Sequence, residues 1–235
     1  MASRTDDLVI VQGLRGTRAT IEAWNDRPWR TVGPWFAGSF AIAVVLLLCV
    51  LVVAARSTPE VRPMFLPGFD GRTPWEQIRF YLFRNGLVLA LHAMACVAGF
   101  IAMSSLPAEA DRYSGTWRWV HDRAGPLALA FVACATLFSL GTQAYALGWG
   151  LKTLAWQNGV SAPHLLLLVL PHALPELVAL FLPLAAWIIV SRRKEWDTLM
   201  AVTFVTVAIA IPMLVIAALT EVYVTPILLR HALGL

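Results

Sequence analysis

Long runs of apolar residues recur along the chain and alternate with short polar segments. Because about 20 apolar residues cross a hydrocarbon core of about 30 Å, the pattern predicts five transmembrane helices. The predicted spans are residues 35–55, 86–106, 126–148, 164–190 and 199–229. The expected fold is an all-α polytopic membrane helix bundle. Its five-span membrane domain at 35–230 follows an N-terminal cytoplasmic or interfacial segment at 1–34, and residues 231–235 form a tail.

The segment before the first span shows a helical spacing of apolar residues between positions 5 and 30, with Thr5 as a suitable N-cap. This spacing predicts an amphipathic helix that lies on the inner membrane surface. Gly13 and Gly16 weaken a helix, so a partly ordered tail is the alternative.

A second helix start precedes the second span. Thr73-Pro74-Trp75-Glu76 supplies a capping threonine, a proline at the first helical position and a glutamate at the third. Trp75, Ile78 and Leu82 then share one face, which predicts an interfacial amphipathic helix. We expect that helix to end where Asn85-Gly86 turns the chain inward. Its apolar face is either a partner-binding surface or part of a simple bend of the chain at the membrane interface.

The composition agrees with a membrane protein. The 235 residues are 59% hydrophobic and 14% charged, and the mean hydropathy is +0.70, which lies outside the usual range of soluble domains. The net charge is +4 and the pI is about 9.3, but the basic residues are nearly all arginines beside the ends of spans. Juxtamembrane anchoring to the lipid bilayer explains them better than binding to nucleic acid does, so we expect no nucleic acid partner.

The distribution of basic residues predicts the orientation. With the N-terminus in the cytoplasm, the inner segments hold 5, 3 and 3 Lys or Arg residues, 11 in all, and the outer segments hold 5, 1 and 1, 7 in all. This excess favours a multi-pass protein of the cell membrane with its N-terminus cytoplasmic and its C-terminus outside. The five arginines of the first outer loop, residues 56–85, oppose that orientation.

Five polar side chains interrupt the predicted spans: His92, Gln143, His172, Glu176 and Glu221. At about 1.5 Å per residue, four of them lie roughly 8 to 12 Å below the outer boundary, and Glu176 lies about 6 Å deeper than His172. Ionisable groups inside spans are costly unless they are paired, and many are functional. The pattern predicts an intramembrane His/Glu cluster. Pairs that only lock helices together would satisfy the same pattern.

Prolines lie near these polar groups in the last two spans. A proline removes one amide donor from a helix and clashes with the preceding turn. We therefore expect the fourth and fifth spans to be kinked or broken at Pro171, Pro175, Pro183, Pro212 and Pro226.

The sequence contains few signals for catalysis or metal binding. The side chains of His172, Glu176, Glu221 and His92 could together supply a divalent metal site such as Zn²⁺, but no metalloprotease spacing accompanies them. No serine or cysteine has a convincing base, and no glycine-rich phosphate loop is present. Cys49, Cys96 and Cys134 lie within apolar spans and are expected to be core residues. We expect a protein that is not an enzyme and needs no cofactor.

Two stretches carry a family resemblance. Pro171-His172-Ala173-Leu174-Pro175-Glu176-Leu177, followed by Glu221-Val222-Tyr223-Val224-Thr225-Pro226, resembles the stage II sporulation protein M family of integral membrane proteins. Asn85-Gly86 and the five-span layout are also similar to that family, so the resemblance covers about residues 75–230. It implies a membrane component that is not an enzyme. The sporulation member works beside a lytic transglycosylase and an amidase that remodel peptidoglycan.

Two functional hypotheses follow. In the first, the protein is a scaffold that positions cell-envelope partners such as cell-wall hydrolases. It would contact them through the outer loop, residues 56–85, and through its inner surface. The His/Glu cluster would then hold the helices together or form a lipid-binding cleft. In the second, the protein is a small transporter or channel, and the cluster lines a path for protons, ions or lipid. Because the sequence shows no internal inverted repeat, such a path would need a homodimer.

Overall fold

The structure is a computed structural model that describes residues 9–101, 103 and 114–234. Within those residues all regular secondary structure is helical. The elements are α1 (Val9–Asn25), α2 (Pro28–Arg56), α3 (Pro74–Phe100), α4 (Thr116–Gln157), α5 (Ala162–Arg193), a 3₁₀ turn (Trp196–Thr198), α6 (Leu199–Leu219), a π turn (Thr220–Val224) and α7 (Thr225–Leu233). The first eight residues of the predicted N-terminal segment and the end of the second predicted span lie outside the described residues.

Five of the described helices are long and apolar enough to cross a membrane. They are Pro28–Arg56, Pro74–Phe100, Ala130–Gln157, Ala162–Arg193 and Trp196–Leu233. Many of their large apolar side chains are exposed, among them Leu48, Phe131 and Phe204, as expected where lipid covers the surface. The prediction of an all-α polytopic membrane protein is therefore confirmed.

The first span begins earlier than the apolar run suggested. α1 ends at Asn25, and α2 starts at Pro28, seven residues before the predicted start of the span at 35. Proline is favoured at the first position of a helix because its missing amide would be unpaired there in any case. The ring of Trp24 meets the ring of Trp35 edge-on, with centroids 5.3 Å apart, and this contact packs α1 against α2.

The helix predicted along the surface and the second span are one continuous helix, α3. The predicted capping box is present, since the backbone amide of Thr73 donates to Glu76 Oε2 at 2.8 Å and the amide of Glu76 donates to Thr73 Oγ1 at 3.4 Å. The turn expected at Asn85-Gly86 is absent, however, and both residues lie inside the helix. A glycine costs a helix only about 1 kcal/mol, and burial of the neighbouring Asn85 favours continuation.

Most of the expected proline breaks are also absent. Helical structure continues through Pro171, Pro175 and Pro183 in α5 and through Pro212 in α6. A single lost amide hydrogen bond is tolerated in apolar surroundings where the neighbouring turns remain intact. The last span does change its geometry, at the π turn Thr220–Val224, which ends two residues before Pro226.

The chain divides into two compact units, each built from parts of several helices. Unit 1 comprises Met1–Ser39, Leu89–Thr136 and Phe181–Ile209, and unit 2 comprises Phe40–Val88, Leu137–Leu180 and Ala210–Leu235. In unit 1, a Cβ at Gly99 would lie 2.7 Å from Trp187 Nε1, so α3 and α5 approach closely there. In unit 2, an apolar cluster is formed by Val50, Ala54, Leu66, Leu151, Ala155, Leu165 and Leu229.

Candidate functional site

The connection between α2 and α3, residues 57–73, is part of unit 2 and is hydrogen-bonded to side chains of α4. Gln157 is central, because its Nε2 donates to the carbonyls of Glu60 and Arg62 at 3.2 and 2.7 Å, and its Oε1 accepts from the amide of Met64 at 3.0 Å. The buried Thr153 hydroxyl accepts from the amide of Glu60 at 3.2 Å. One amide side chain therefore satisfies three backbone groups of a segment that has no secondary structure of its own.

A cavity of about 390 Å³ lies in unit 2 beneath this connection. Its lining is mainly aliphatic and comes from α2, α3, α4, α5, the connection and the π turn. Six residues with ionisable side chains also line it: Asp70, Tyr81, Arg84, His172, Glu176 and Glu221. An apolar pocket with a few convergent polar groups is the usual form of a small-molecule site.

Glu176 is held by two residues of α3. Its Oε1 lies 3.6 Å from Arg84 Nη2, and its carboxyl group also accepts a hydrogen bond from the side chain of Asn85. The Asn85 side chain is buried and the Arg84 side chain is half exposed. The carboxyl group is thus fixed within the site rather than directed at lipid.

Glu221 lies in the π turn, and only 6% of the residue is exposed. Its carboxyl group bonds to the Tyr81 hydroxyl, while its other oxygen, Oε2, is buried and has no hydrogen-bond partner. In the π turn the amide of Thr225 bonds to the carbonyl of Thr220, five residues back. Such wide turns are frequent at functional sites, and this one places Glu221 in the cavity lining.

His172 is fixed from the same turn. Its Nδ1 lies 2.7 Å from Thr225 Oγ1, and both residues are buried. The Thr225 hydroxyl also donates to the carbonyl of Thr220 at 3.3 Å. Because a hydroxyl has one proton, this pair of bonds fits a proton on His172 Nδ1 and leaves Nε2 as the acceptor.

A comparison with known families gives one match. Residues 123–226 match the family model described as Stage II sporulation protein M. Over these residues the chain is similar to this family. The matched segment contains both stretches that carry the resemblance, 171–177 and 221–226, and is shorter than the expected 75–230. No match was found among the curated proteins or among the solved structures.

Three of the five predicted cluster residues line the cavity of unit 2: His172, Glu176 and Glu221. Gln143 does not line it, and instead its Nε2 donates to Ser139 Oγ one turn earlier in α4, at 3.1 Å. His92 belongs to unit 1, where its ring meets the ring of Phe181 with centroids 5.7 Å apart. The common depth assigned to these residues stays a prediction.

The predicted partner surface on α3 needs a correction. Ile78 is buried with Tyr81, Ala218 and Val222, and Leu82 packs against the same cluster. The apolar face of this helix therefore covers the last span instead of remaining free. Trp75, at the start of the helix, is 65% exposed.

The residues predicted from the sequence for this site did not include Arg84, Tyr81, Asn85 or Thr225. Arg84 was grouped with the arginines of an outer loop. A helical reading that continued past Asn85 would have placed Tyr81, Arg84 and Asn85 on one side of α3, three to four residues apart. The sequence therefore contained this helical spacing, but the Asn85-Gly86 pair predicted a turn that interrupted it.

A metal centre finds no support in the described part of the chain. No group of three or more His, Cys, Asp or Glu side chains there is arranged to hold a metal ion. Zn²⁺ prefers four ligands and Ca²⁺ six to eight. The four predicted ligands, His172, Glu176, Glu221 and His92, are thus not arranged as a metal site.

Proposed function

We propose that this member of the stage II sporulation protein M family is a scaffold of the cell membrane that is not an enzyme and positions cell-envelope partners, cell-wall hydrolases among them. The observation that carries the proposal is the connection 57–73. Its backbone is hydrogen-bonded to Gln157 of α4, yet Val61 is 84% exposed and Phe65 is 67% exposed.

A fixed connection is suited to binding a partner. Exposed apolar side chains on a segment outside the spans favour protein contact. Because Gln157 already orders the backbone, binding would cost little further conformational entropy. Trp75, at the start of α3, adds a large exposed aromatic ring close to the end of this segment.

The proposal includes an orientation. The excess of basic residues in the inner segments supports a cytoplasmic N-terminus and an outer C-terminus, which puts residues 57–73 outside. The connection would then face the compartment in which peptidoglycan is remodelled.

One experiment tests both the partner and the orientation. Val61→Cys in intact cells is treated with a membrane-impermeant reagent that joins a maleimide to a photoreactive group. We expect labelling at position 61, no labelling of Lys194→Cys, and photoadducts to a cell-wall hydrolase. The wild-type chain, whose three cysteines lie within the spans, measures the background. Labelling of position 194 instead of 61 would reverse the orientation, and labelling without a hydrolase adduct would contradict the scaffold.

Two glycines of the connection supply a matched control. Gly68 and Gly71 both have positive φ, 82° and 76°, so alanine strains the backbone at either position. At Gly68 the new Cβ would also collide with the ring of Pro226, whereas at Gly71 it would meet nothing within 4 Å. We expect Gly68→Ala to displace the connection and reduce the adducts formed at position 61, and Gly71→Ala to preserve them.

The cavity favours a second candidate function, the movement of protons, ions or lipid. Under this hypothesis Glu176→Gln abolishes flux through the purified protein in liposomes, because its carboxyl group lines the path. The exposed Glu195→Gln leaves the flux unchanged. A wild-type rate equal to that of empty liposomes excludes transport of the species tested.

A further inference from the structure

We infer that the cavity of unit 2 binds an amphiphile whose head is a primary ammonium group, with the ammonium on Glu221 and the hydrocarbon chain among the aliphatic lining. The inference concerns a ligand of the protein and is independent of the scaffold proposal.

The first observation is the shape and lining of the cavity. Its volume of about 390 Å³ falls within the range of about 300–1,000 Å³ found for small-molecule sites. Most of the lining is aliphatic, with Leu47, Val50, Leu151, Leu154 and Leu165 contributed by three helices. Phe65 and Arg84 of the lining are exposed, so the cavity reaches the surface of unit 2.

The second observation is the balance of charged groups. Among the described lining residues, three have carboxyl groups, and Arg84 is the one with a guanidinium group. Arg84 pairs with Glu176 at 3.6 Å. Asp70 accepts from Gln77 Nε2 at 2.9 Å and from the backbone amide of Arg72 at 3.2 Å. Glu221 is therefore the acidic residue of the cavity whose carboxyl group can accept a further hydrogen bond.

The third observation is the free oxygen of Glu221. Its Oε2 is buried without a hydrogen-bond partner, although buried polar atoms nearly always have one. Leaving such an atom unsatisfied destabilises the folded protein. A donor brought by a ligand would remove this destabilisation, and a cationic donor would add a charge-assisted hydrogen bond.

The chemistry of the site selects the kind of cation. A metal ion needs more donors than the described residues assemble. A quaternary ammonium is held by a cage of aromatic faces, whereas the aromatic lining residues here are Phe65 and Tyr81. A primary ammonium has three hydrogen-bond donors, and Glu221 Oε2, with His172 as a second acceptor of the lining, matches that need.

The test compares head groups on the wild-type protein. We expect n-decylammonium chloride to raise the thermal midpoint of the purified full-length protein, because a ligand that binds only the folded state stabilises it. The probes n-decyltrimethylammonium and n-decanol have the same chain and should produce no such shift. Equal shifts from all three would reduce the site to an unspecific apolar pocket and overturn the inference. This comparison needs no variant and holds even if substitutions prevent folding.

The variants locate the head group. Glu221→Gln keeps the size of the side chain and removes its charge, and it should weaken decylammonium binding at least about tenfold, a change that corresponds to 1.4 kcal/mol. The exposed Glu195→Gln should bind as the wild type does. Undiminished binding by Glu221→Gln would contradict the assignment of the ammonium to that residue.

A further experiment with lipids distinguishes two sources of such a head group, a membrane lipid and a free long-chain amine. The protein is released for native mass spectrometry from nanodiscs that contain phosphatidylethanolamine, phosphatidylcholine and phosphatidylglycerol in equal amounts. Selective retention of phosphatidylethanolamine identifies a membrane lipid as the ligand. Decylammonium binding without retention of phosphatidylethanolamine identifies a free long-chain amine, and the absence of both overturns the inference.

Discussion

Gly148→Ala is expected to destabilise unit 2 by about 1–3 kcal/mol, the usual cost of overpacking a close contact. At this position α4 lies directly against α2. A Cβ would stand 2.6 Å from Val53 Cβ and 2.7 Å from the backbone oxygen of Val50. Because one of these atoms belongs to the backbone, a side-chain rotation cannot relieve the clash, and the two helices must separate.

Gly141, two turns earlier in α4, provides the matched control. A Cβ at Gly141 would meet nothing within 4 Å, and alanine is favoured over glycine in a helix by up to about 1 kcal/mol. The two substitutions should therefore change stability in opposite directions. Thermal unfolding of the detergent-solubilised protein, followed by the loss of the monodisperse chromatographic peak, measures both. If the unfolding midpoint of Gly148→Ala equalled that of the wild type, α2 and α4 would not be in contact at this position.

Thr225→Val is expected to destabilise the protein by about 1–3 kcal/mol, because it leaves a buried polar atom without its partner. The two side chains have the same shape, so the packing is retained. Thr225 is fully buried, and its hydroxyl lies 2.7 Å from His172 Nδ1. Valine removes this contact and also the bond to the carbonyl of Thr220.

Thr220→Val is the control for this prediction. The Thr220 hydroxyl bonds to the carbonyl of Ile216 in its own helix at 2.8 Å, in an exposed position, so its loss should change the unfolding midpoint little. A second readout is specific to the imidazole. The ¹⁵N chemical shifts of His172 should report a proton on Nδ1 in the wild type and a different tautomer balance in Thr225→Val. Equal midpoints and identical shifts for both variants would contradict the role of Thr225.

The fold could be predicted largely from the sequence, because a membrane imposes a simple rule. Every span must be long, apolar and hydrogen-bonded within itself, so hydropathy alone located all five helices. The bounds were less accurate. α4 continues to Gln157, well past the predicted end at 148, and α2 begins at Pro28 because polar residues at a membrane surface can still be helical.

The site was predicted only in part, because hydropathy says which residues enter the membrane but not which way they face. His172, Glu176 and Glu221 were named since an ionisable group in an apolar run is conspicuous. Arg84 was missed because an arginine near the end of a span is ordinary, although here it forms an ion pair with the carboxyl group of Glu176 in the cavity. No helix break occurs at Pro171, Pro175, Pro183 or Pro212, since the surrounding helix can compensate for one lost amide hydrogen bond, and the expected kinks stay a prediction.

The π turn Thr220–Val224 changes how the end of the chain should be read. A π turn inserts about one residue into an α-helix, and each residue of an α-helix turns the direction of the side chain by about 100°. A helical wheel drawn without interruption from Leu199 to Leu233 therefore assigns the wrong azimuth to one half of this span. The phase must be reset at Glu221 before the buried stripe of α7, which contains Thr225 and Leu229, is compared with the buried positions of α6. An alignment of related sequences that forces a gapless register across this turn would misplace that stripe.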